Sequence, residues 1–84
     1  MKIVIIEDEK MTANDLAQTI EELFPQAKIE KLLATVKESI NYFTHAHAPD
    51  LIFSDIQLGD GLSFEIFSKV IVSGKYLGIS FVTK

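Results

Sequence analysis

Short apolar runs alternate with amphipathic segments along the whole chain. The run at residues 3–6 is rich in β-branched residues, which is typical of a strand covered on both faces of a parallel sheet. Further strands are predicted at residues 28–34, 50–55 and 77–83. The strand at 28–34 is the most polar, so we expect it at an edge of the sheet.

Apolar residues at helical spacing predict one helix in each interval between these strands. The first helix is predicted to end before Pro25, with an apolar face formed by Met11, Leu16, Ile20, Leu23 and Phe24. The second begins at Thr35, which with Glu38 has the spacing of a capping box. The third helix is predicted over residues 62–71 and ends at Ser73 and Gly74.

The aromatic residues are expected to serve packing and not to bind a cofactor. Five phenylalanines lie at helix or strand spacing and are predicted in the core, namely Phe24, Phe43, Phe53, Phe64 and Phe67.

This order of elements predicts an α/β domain with a parallel sheet, right-handed crossovers and helices on both faces. The 84 residues are enough for one domain, spanning residues 1–84. In such a sheet the functional site lies beyond the carboxyl ends of the strands. That rule directs attention to the polar residues at strand ends.

Composition excludes several classes of function. The chain has no cysteine, so disulfide frameworks, thiolate zinc sites and cysteine catalysis are excluded. Its eight basic residues are all lysine and the formal net charge is −4, which disfavours a nucleic-acid groove. The apolar run at residues 3–6 is too short to span a bilayer, so we expect a cytoplasmic domain without direct membrane or nucleic-acid contact.

Acidic residues end two of the predicted strands. Glu7 and Asp8 follow the first strand, and Asp55 ends the third. If these strands are neighbours, their ends lie about 4.8 Å apart, and three carboxylates converge on one pocket. A hard divalent cation such as Mg²⁺ would relieve their repulsion, and a carboxylate beside it can attack phosphorus. The simpler interpretation is solvated or helix-capping acids, which is what we expect of Glu9.

Two segments carry a resemblance to a known family. Residues 2–9 and residues 49–58 resemble the two signature segments of response-regulator receiver domains. Residues 55–58, followed by Gly59, Asp60 and Gly61, are similar to receivers that precede a LytTR-type DNA-binding domain. The resemblance implies a flavodoxin-like (CheY-like) doubly wound parallel sheet, here incomplete, with four strands in the order 2-1-3-4 and three helices.

The resemblance also implies roles for individual residues. Asp55 would be the phosphoacceptor, taking a phosphoryl group from a sensor histidine kinase. Glu7, Asp8 and Asp55, with the backbone carbonyl of Gln57, would bind Mg²⁺. Thr83 would be the hydroxyl residue that moves to contact the phosphoryl group.

At its carboxyl end the sequence departs from the family pattern. Receivers have a fifth strand, whereas helix four, strand five and helix five, with the strand-five lysine, have no counterpart here. The fourth strand would therefore present an unpaired edge that carries Ile79, Phe81 and Val82. We expect a twofold homodimer in which two such edges pair antiparallel.

Two other functions compete with the receiver interpretation. The chain could be an inactive receiver fragment that acts only in interaction or dimerisation. It could also be an aspartyl phosphatase of the haloacid-dehalogenase type, which likewise uses an acid after a strand. That family requires a second acid two residues after the nucleophile, and Gln57 at this position cannot transfer protons.

Overall fold

The computed structural model describes residues 1–45 and 49–69, together with the backbone of residues 78–82. Its elements are, in chain order, β1 (Lys2–Ile6), α1 (Lys10–Leu23), β2 (Lys28–Leu33), α2 (Val36–Thr44), β3 (Leu51–Asp55), β4 (Gln57–Leu58), β5 (Gly61–Leu62), α3 (Phe64–Lys69) and β6 (Gly78–Val82). The predicted alternation of strands and helices is confirmed. The pattern did not predict the short β4–β5 hairpin, and the helix end predicted at Ser73 and Gly74 lies outside the described residues.

Four described strands form one parallel sheet in the order β2-β1-β3-β6. This is the predicted order 2-1-3-4, because β6 is the fourth strand of the sequence pattern. β1 pairs with both β2 and β3, and Ile6 is aligned with Ser54 at the carboxyl end of the β1–β3 pair. The carboxyl ends of β1 and β3 are therefore direct neighbours at one edge of the sheet.

Helices cover both faces of the sheet. Successive side chains of a strand point to opposite faces. Ile3 and Ile5 of β1 accordingly pack in a cluster with Ala17 and Ile20 of α1. The alternate residues Val4 and Ile6 lie in a second cluster with residues of α2 and α3. The continuous apolar run of β1 is thus buried on both sides, as predicted.

The buried face of α1 differs from the predicted one. Met11 is 76% exposed and Phe24 is 59% exposed, and Leu23 is exposed as well. The helix instead packs through Ala13, Ala17 and Ile20. These residues follow one another at intervals of four and three, so they form a stripe as regular as the predicted one. The prediction is confirmed for Ile20 and for partly buried Leu16 and is wrong for the other three residues, because large apolar side chains were given weight and alanines were not.

The prediction that all five phenylalanines lie in the core was also wrong in part. Phe43 is buried, and Phe53 and Phe67 are half-buried against the two clusters. Phe24 and Phe64 are exposed. Phe24 follows the last residue of α1, and Phe64 is the first residue of α3. Both therefore lie at the end of a helix, outside the part of it that packs on the sheet.

The amino end of α2 confirms the predicted capping residues. The Thr35 hydroxyl oxygen accepts a hydrogen bond from the Glu38 amide at 2.9 Å. The Glu38 carboxylate in turn accepts from the Ala34 amide at 2.9 Å, one residue before the cap. No helix in the described part of the chain is long and apolar enough to cross a membrane.

Two alanine substitutions, one of a buried and one of an exposed apolar residue, test which apolar residues form the core. We expect Ile52→Ala to lower the free energy of unfolding by about 2–5 kcal/mol, because Ile52 is fully buried in β3. Met11→Ala should change it by about 0.5 kcal/mol or less, because that side chain is solvated. Urea denaturation measures both values, and a large loss for Met11→Ala would contradict the packing of α1.

Candidate metal centre

Three carboxylates meet at the carboxyl edge of the sheet. Glu7 follows β1 directly and Asp55 is the last residue of β3. One carboxylate oxygen from each of Glu7, Asp8 and Asp55 lies within 4.8 Å of the others. Glu7 is 7% exposed and Asp55 is 6% exposed, whereas Asp8 is exposed. The structure thus brings together the three acids that the sequence analysis selected.

Hydrogen bonds to the backbone hold the first of these acids in place. The Glu7 amide donates to the Leu33 carbonyl at 2.8 Å, which fastens the end of β1 to the end of β2. The Glu7 carboxylate accepts from the Glu9 amide at 2.9 Å. The first bond fixes the backbone of Glu7 and the second fixes its side chain, so the carboxylate is oriented before any cation arrives.

Glu9 does not cap α1 in the expected way. It occupies the N-cap position, but its side chain accepts no hydrogen bond from a helix amide. Its carboxylate instead accepts from the Thr12 hydroxyl. A glutamate is one methylene longer than aspartate, and here it reaches past the first-turn amides to that hydroxyl.

The chemistry of the donors fits a hard divalent cation. All three donors are carboxylate oxygens, which Mg²⁺ prefers, and Mg²⁺ needs only one or two direct carboxylates besides water. A cavity of about 270 Å³ adjoins Glu7 and Asp8 on the side of α1 and β2. Two of the acids are buried beside each other, and a cation offsets the repulsion between them.

Two further residues were assigned to the site by the resemblance. Gln57 lies in β4, two residues after Asp55, with an exposed side chain. The assignment of its backbone carbonyl to the cation stays a prediction. Thr83 lies outside the described residues, and its role as a switch hydroxyl also stays a prediction.

The loop after Asp55 is a small hairpin. Gln57 pairs antiparallel with Leu62, and Leu58 with Gly61. Gly61 has φ +149°, a conformation that other residues rarely adopt, and a Cβ added there would collide with the Glu65 carboxylate. That carboxylate accepts from the Leu62 amide at 2.8 Å. The hairpin is therefore fastened to the first turn of α3.

A further acid at the hairpin tip contacts a distant helix. Asp60 Oδ1 accepts from the Val36 amide at 2.8 Å, and Oδ2 accepts from the Lys37 amide at 3.1 Å. These two bonds hold the pKa of Asp60 below its usual value, because they stabilise the ionised form. This contact joins residues 23 and 24 positions apart in the sequence, and it was not predicted from the sequence.

Comparison with solved structures identifies this arrangement of strands and helices. A double mutant of the anti-anti-sigma factor PhyR from Bartonella quintana is 26% identical with a TM-score of 0.79, over 98% of this chain and 33% of that protein. The response regulator PhyR from Brucella abortus is 25% identical with a TM-score of 0.76, over 95% of this chain and 32% of that protein. The HemR receiver domain from Leptospira biflexa is 26% identical with a TM-score of 0.76, over 98% of this chain and 63% of that domain.

These neighbours are response-regulator proteins, and the likeness confirms the flavodoxin-like receiver fold. The chain spans about a third of the two PhyR proteins and under two thirds of the HemR domain. Comparison with family models and with curated protein sequences gives no match.

Replacing one carboxylate should raise the stability of the chain without a divalent cation. It should also remove the stabilisation that the cation gives to the unsubstituted chain. In EDTA we expect Asp55→Asn to raise the free energy of unfolding by at least about 1 kcal/mol. That is the repulsion between unit charges about 4 Å apart in bulk water, and burial of Asp55 makes it larger. Added Mg²⁺ should stabilise the unsubstituted chain and have little effect on the variant, because ligands stabilise the state that binds them. Urea denaturation with and without Mg²⁺ gives both quantities.

Asp50→Asn is the matched control. Its carboxylate accepts from the Lys2 amide at 2.7 Å, at the opposite end of β1 from the acids. This variant should keep the full stabilisation by Mg²⁺. An equal response of the Asp55→Asn and Asp50→Asn chains would contradict a metal centre at Asp55.

Proposed function

We propose that this chain is the receiver module of a two-component phosphorelay, in which Asp55 accepts a phosphoryl group with Mg²⁺. The observation that supports it most is the convergence of Glu7, Asp8 and Asp55 at the carboxyl edge of a receiver-like sheet. Fold alone does not determine function, since one fold hosts many. The proposal therefore depends on this set of acids in this position.

The chemistry required of Asp55 is a nucleophilic displacement. A carboxylate oxygen attacks phosphorus and forms a P–O bond, while the bond from phosphorus to the donor breaks and the leaving group keeps its electron pair. Mg²⁺, when bound, neutralises charge on the phosphoryl oxygens. Glu7 and Asp8 hold that cation, and the low exposure of Asp55 limits access of water to the mixed anhydride.

The proposal extends to partners that the resemblance implies. The phosphodonor would be the phosphohistidine of a sensor histidine kinase, which places the chain in the cytoplasm. The likeness of residues 55–61 to LytTR-type receivers suggests a longer parent protein with a DNA-binding domain. This chain would not contact nucleic acid itself, because its net charge is negative.

The sharpest test is phosphorylation by a small donor. After incubation with Mg²⁺ and acetyl phosphate, intact mass spectrometry should show one added phosphoryl group per chain. The adduct should be absent from Asp55→Asn and from samples in EDTA, because the nucleophile or the cation is missing. Asp50→Asn should form the adduct as the unsubstituted chain does.

Other results would favour the competing functions. An unmodified chain under all these conditions would indicate an interaction module without phosphotransfer. Steady release of inorganic phosphate from phosphate monoesters would indicate an aspartyl phosphatase. Both results would be incompatible with the receiver role.

We also propose that two copies associate through β6. In the described part of the chain, β6 pairs with β3 along one edge and with no strand along the other. Exposed strand edges favour pairing with another chain, and two such edges related by a twofold axis pair antiparallel. Sedimentation velocity should show a dimer that dissociates on dilution. A monomer at every concentration measured would contradict this association.

A further inference from the structure

One hairpin turn contacts a helix and lies close to the acidic cluster. Asp60, in the turn between β4 and β5, accepts hydrogen bonds from the Val36 and Lys37 amides through its two carboxylate oxygens. These are the first two residues of α2, whose amides have no partner within the helix. Asp60 therefore caps α2 from outside and joins the loop after Asp55 to that helix.

The neighbouring residue of the same turn lies beside the acids. A Cβ built on Gly59 would be 3.9 Å from Asp8 Oδ2, an ordinary van der Waals separation. The turn therefore lies close to the carboxylate of one of the three clustered acids, with room between them for about one side-chain carbon. A displacement of the turn changes the space next to the cluster.

The hairpin has few other attachments. Each of its strands has two residues, and so short an antiparallel pair contributes little stability on its own. Buried Leu58 anchors the first strand in the core, and Glu65 holds the Leu62 amide of the second. Among the described hydrogen bonds of the turn itself, those of Asp60 are the ones that reach another element.

We propose that Asp60 is a positioning residue for the cation of the acidic cluster. By fastening the turn to α2, it fixes the loop beside Asp8 and the backbone at Gln57. The inference rests on the proposed function, because it concerns the same cation. Residues that orient a metal site without touching the metal commonly change affinity by about 10- to 100-fold when replaced.

The coupling must act in both directions. If the Asp60 contact favours cation binding, cation binding favours the contact by the same factor. A bound cation should therefore slow hydrogen exchange at the Val36 and Lys37 amides, which lie on α2 and are not among the acids. A purely structural cap would let the cation slow exchange at these amides no more than at the amides of β3, which report the overall stabilisation of the fold.

The experiment measures Mn²⁺ affinity by electron paramagnetic resonance of the free ion. We expect Asp60→Ala to weaken binding about tenfold. Asp60→Asn keeps one acceptor oxygen and should weaken it less, and this variant also serves if Asp60→Ala does not fold. In both variants, Mg²⁺ should slow exchange at the Val36 and Lys37 amides no more than at the amides of β3.

A charge control distinguishes positioning from electrostatic attraction. Glu38 lines the cavity next to Glu7 and Asp8, and its amide analogue keeps an oxygen for the Ala34 amide. Glu38→Gln should therefore weaken Mn²⁺ binding less than Asp60→Ala. The Asp60→Ala effect should also persist when salt is raised to about 1 M, where the Debye length is about 3 Å.

The outcomes separate this inference from the proposed function. If the unsubstituted chain binds no Mn²⁺, both are overturned. If it binds Mn²⁺ and Asp60→Ala binds equally well, or loses no more affinity than Glu38→Gln, only the positioning role is overturned. In the Asp60 variants, slowing at the Val36 and Lys37 amides beyond that at the amides of β3 would overturn it as well.

Discussion

The electrostatic repulsion among three neighbouring carboxylates is the constraint on which the site depends. Glu7 and Asp55 are buried, and their oxygens lie within 4.8 Å of each other and of Asp8. They cannot move apart easily, because β1 and β3 pair directly and their ends are in register. The sheet thus imposes an unfavourable charge distribution that a divalent cation can relieve. Cation affinity and folding stability are linked through this one feature.

The sheet can hold the three carboxylates together despite their repulsion because its core is well packed on both faces. Alternating residues of β1 contribute to two separate apolar clusters, one beneath α1 and one beneath α2 and α3. Small alanine side chains on α1 allow that helix to lie against the sheet. The charged edge is then a local exception in a structure stabilised elsewhere, which is common at functional sites.

Much of this could be predicted because it depends on local periodicity. The alternation of strands and helices follows from that periodicity, whereas the strand order came from the family resemblance. The convergence of Glu7 and Asp55 follows from the strand order. The buried face of α1 could not be chosen by the size of its apolar residues, because Ala13 and Ala17 compete with Met11 and Leu23 at the same period. The role of Gln57 came from the family resemblance alone.

The contact of Asp60 shows a different limit of sequence reasoning. An acid in a turn is ordinarily solvated, and nothing near Asp60 in the sequence points to a helix that begins 24 residues earlier. The contact exists because β3 and β2 flank β1, so that the loops leaving their carboxyl ends share one edge of the sheet. The same rule that gathers the three acids also brings the hairpin to the start of α2. A turn that follows Asp55 by a few residues, and lies close to Asp8, cannot be placed independently of the acids. The geometry of the cluster is therefore a property of the loops as well as of the strands that carry the acids.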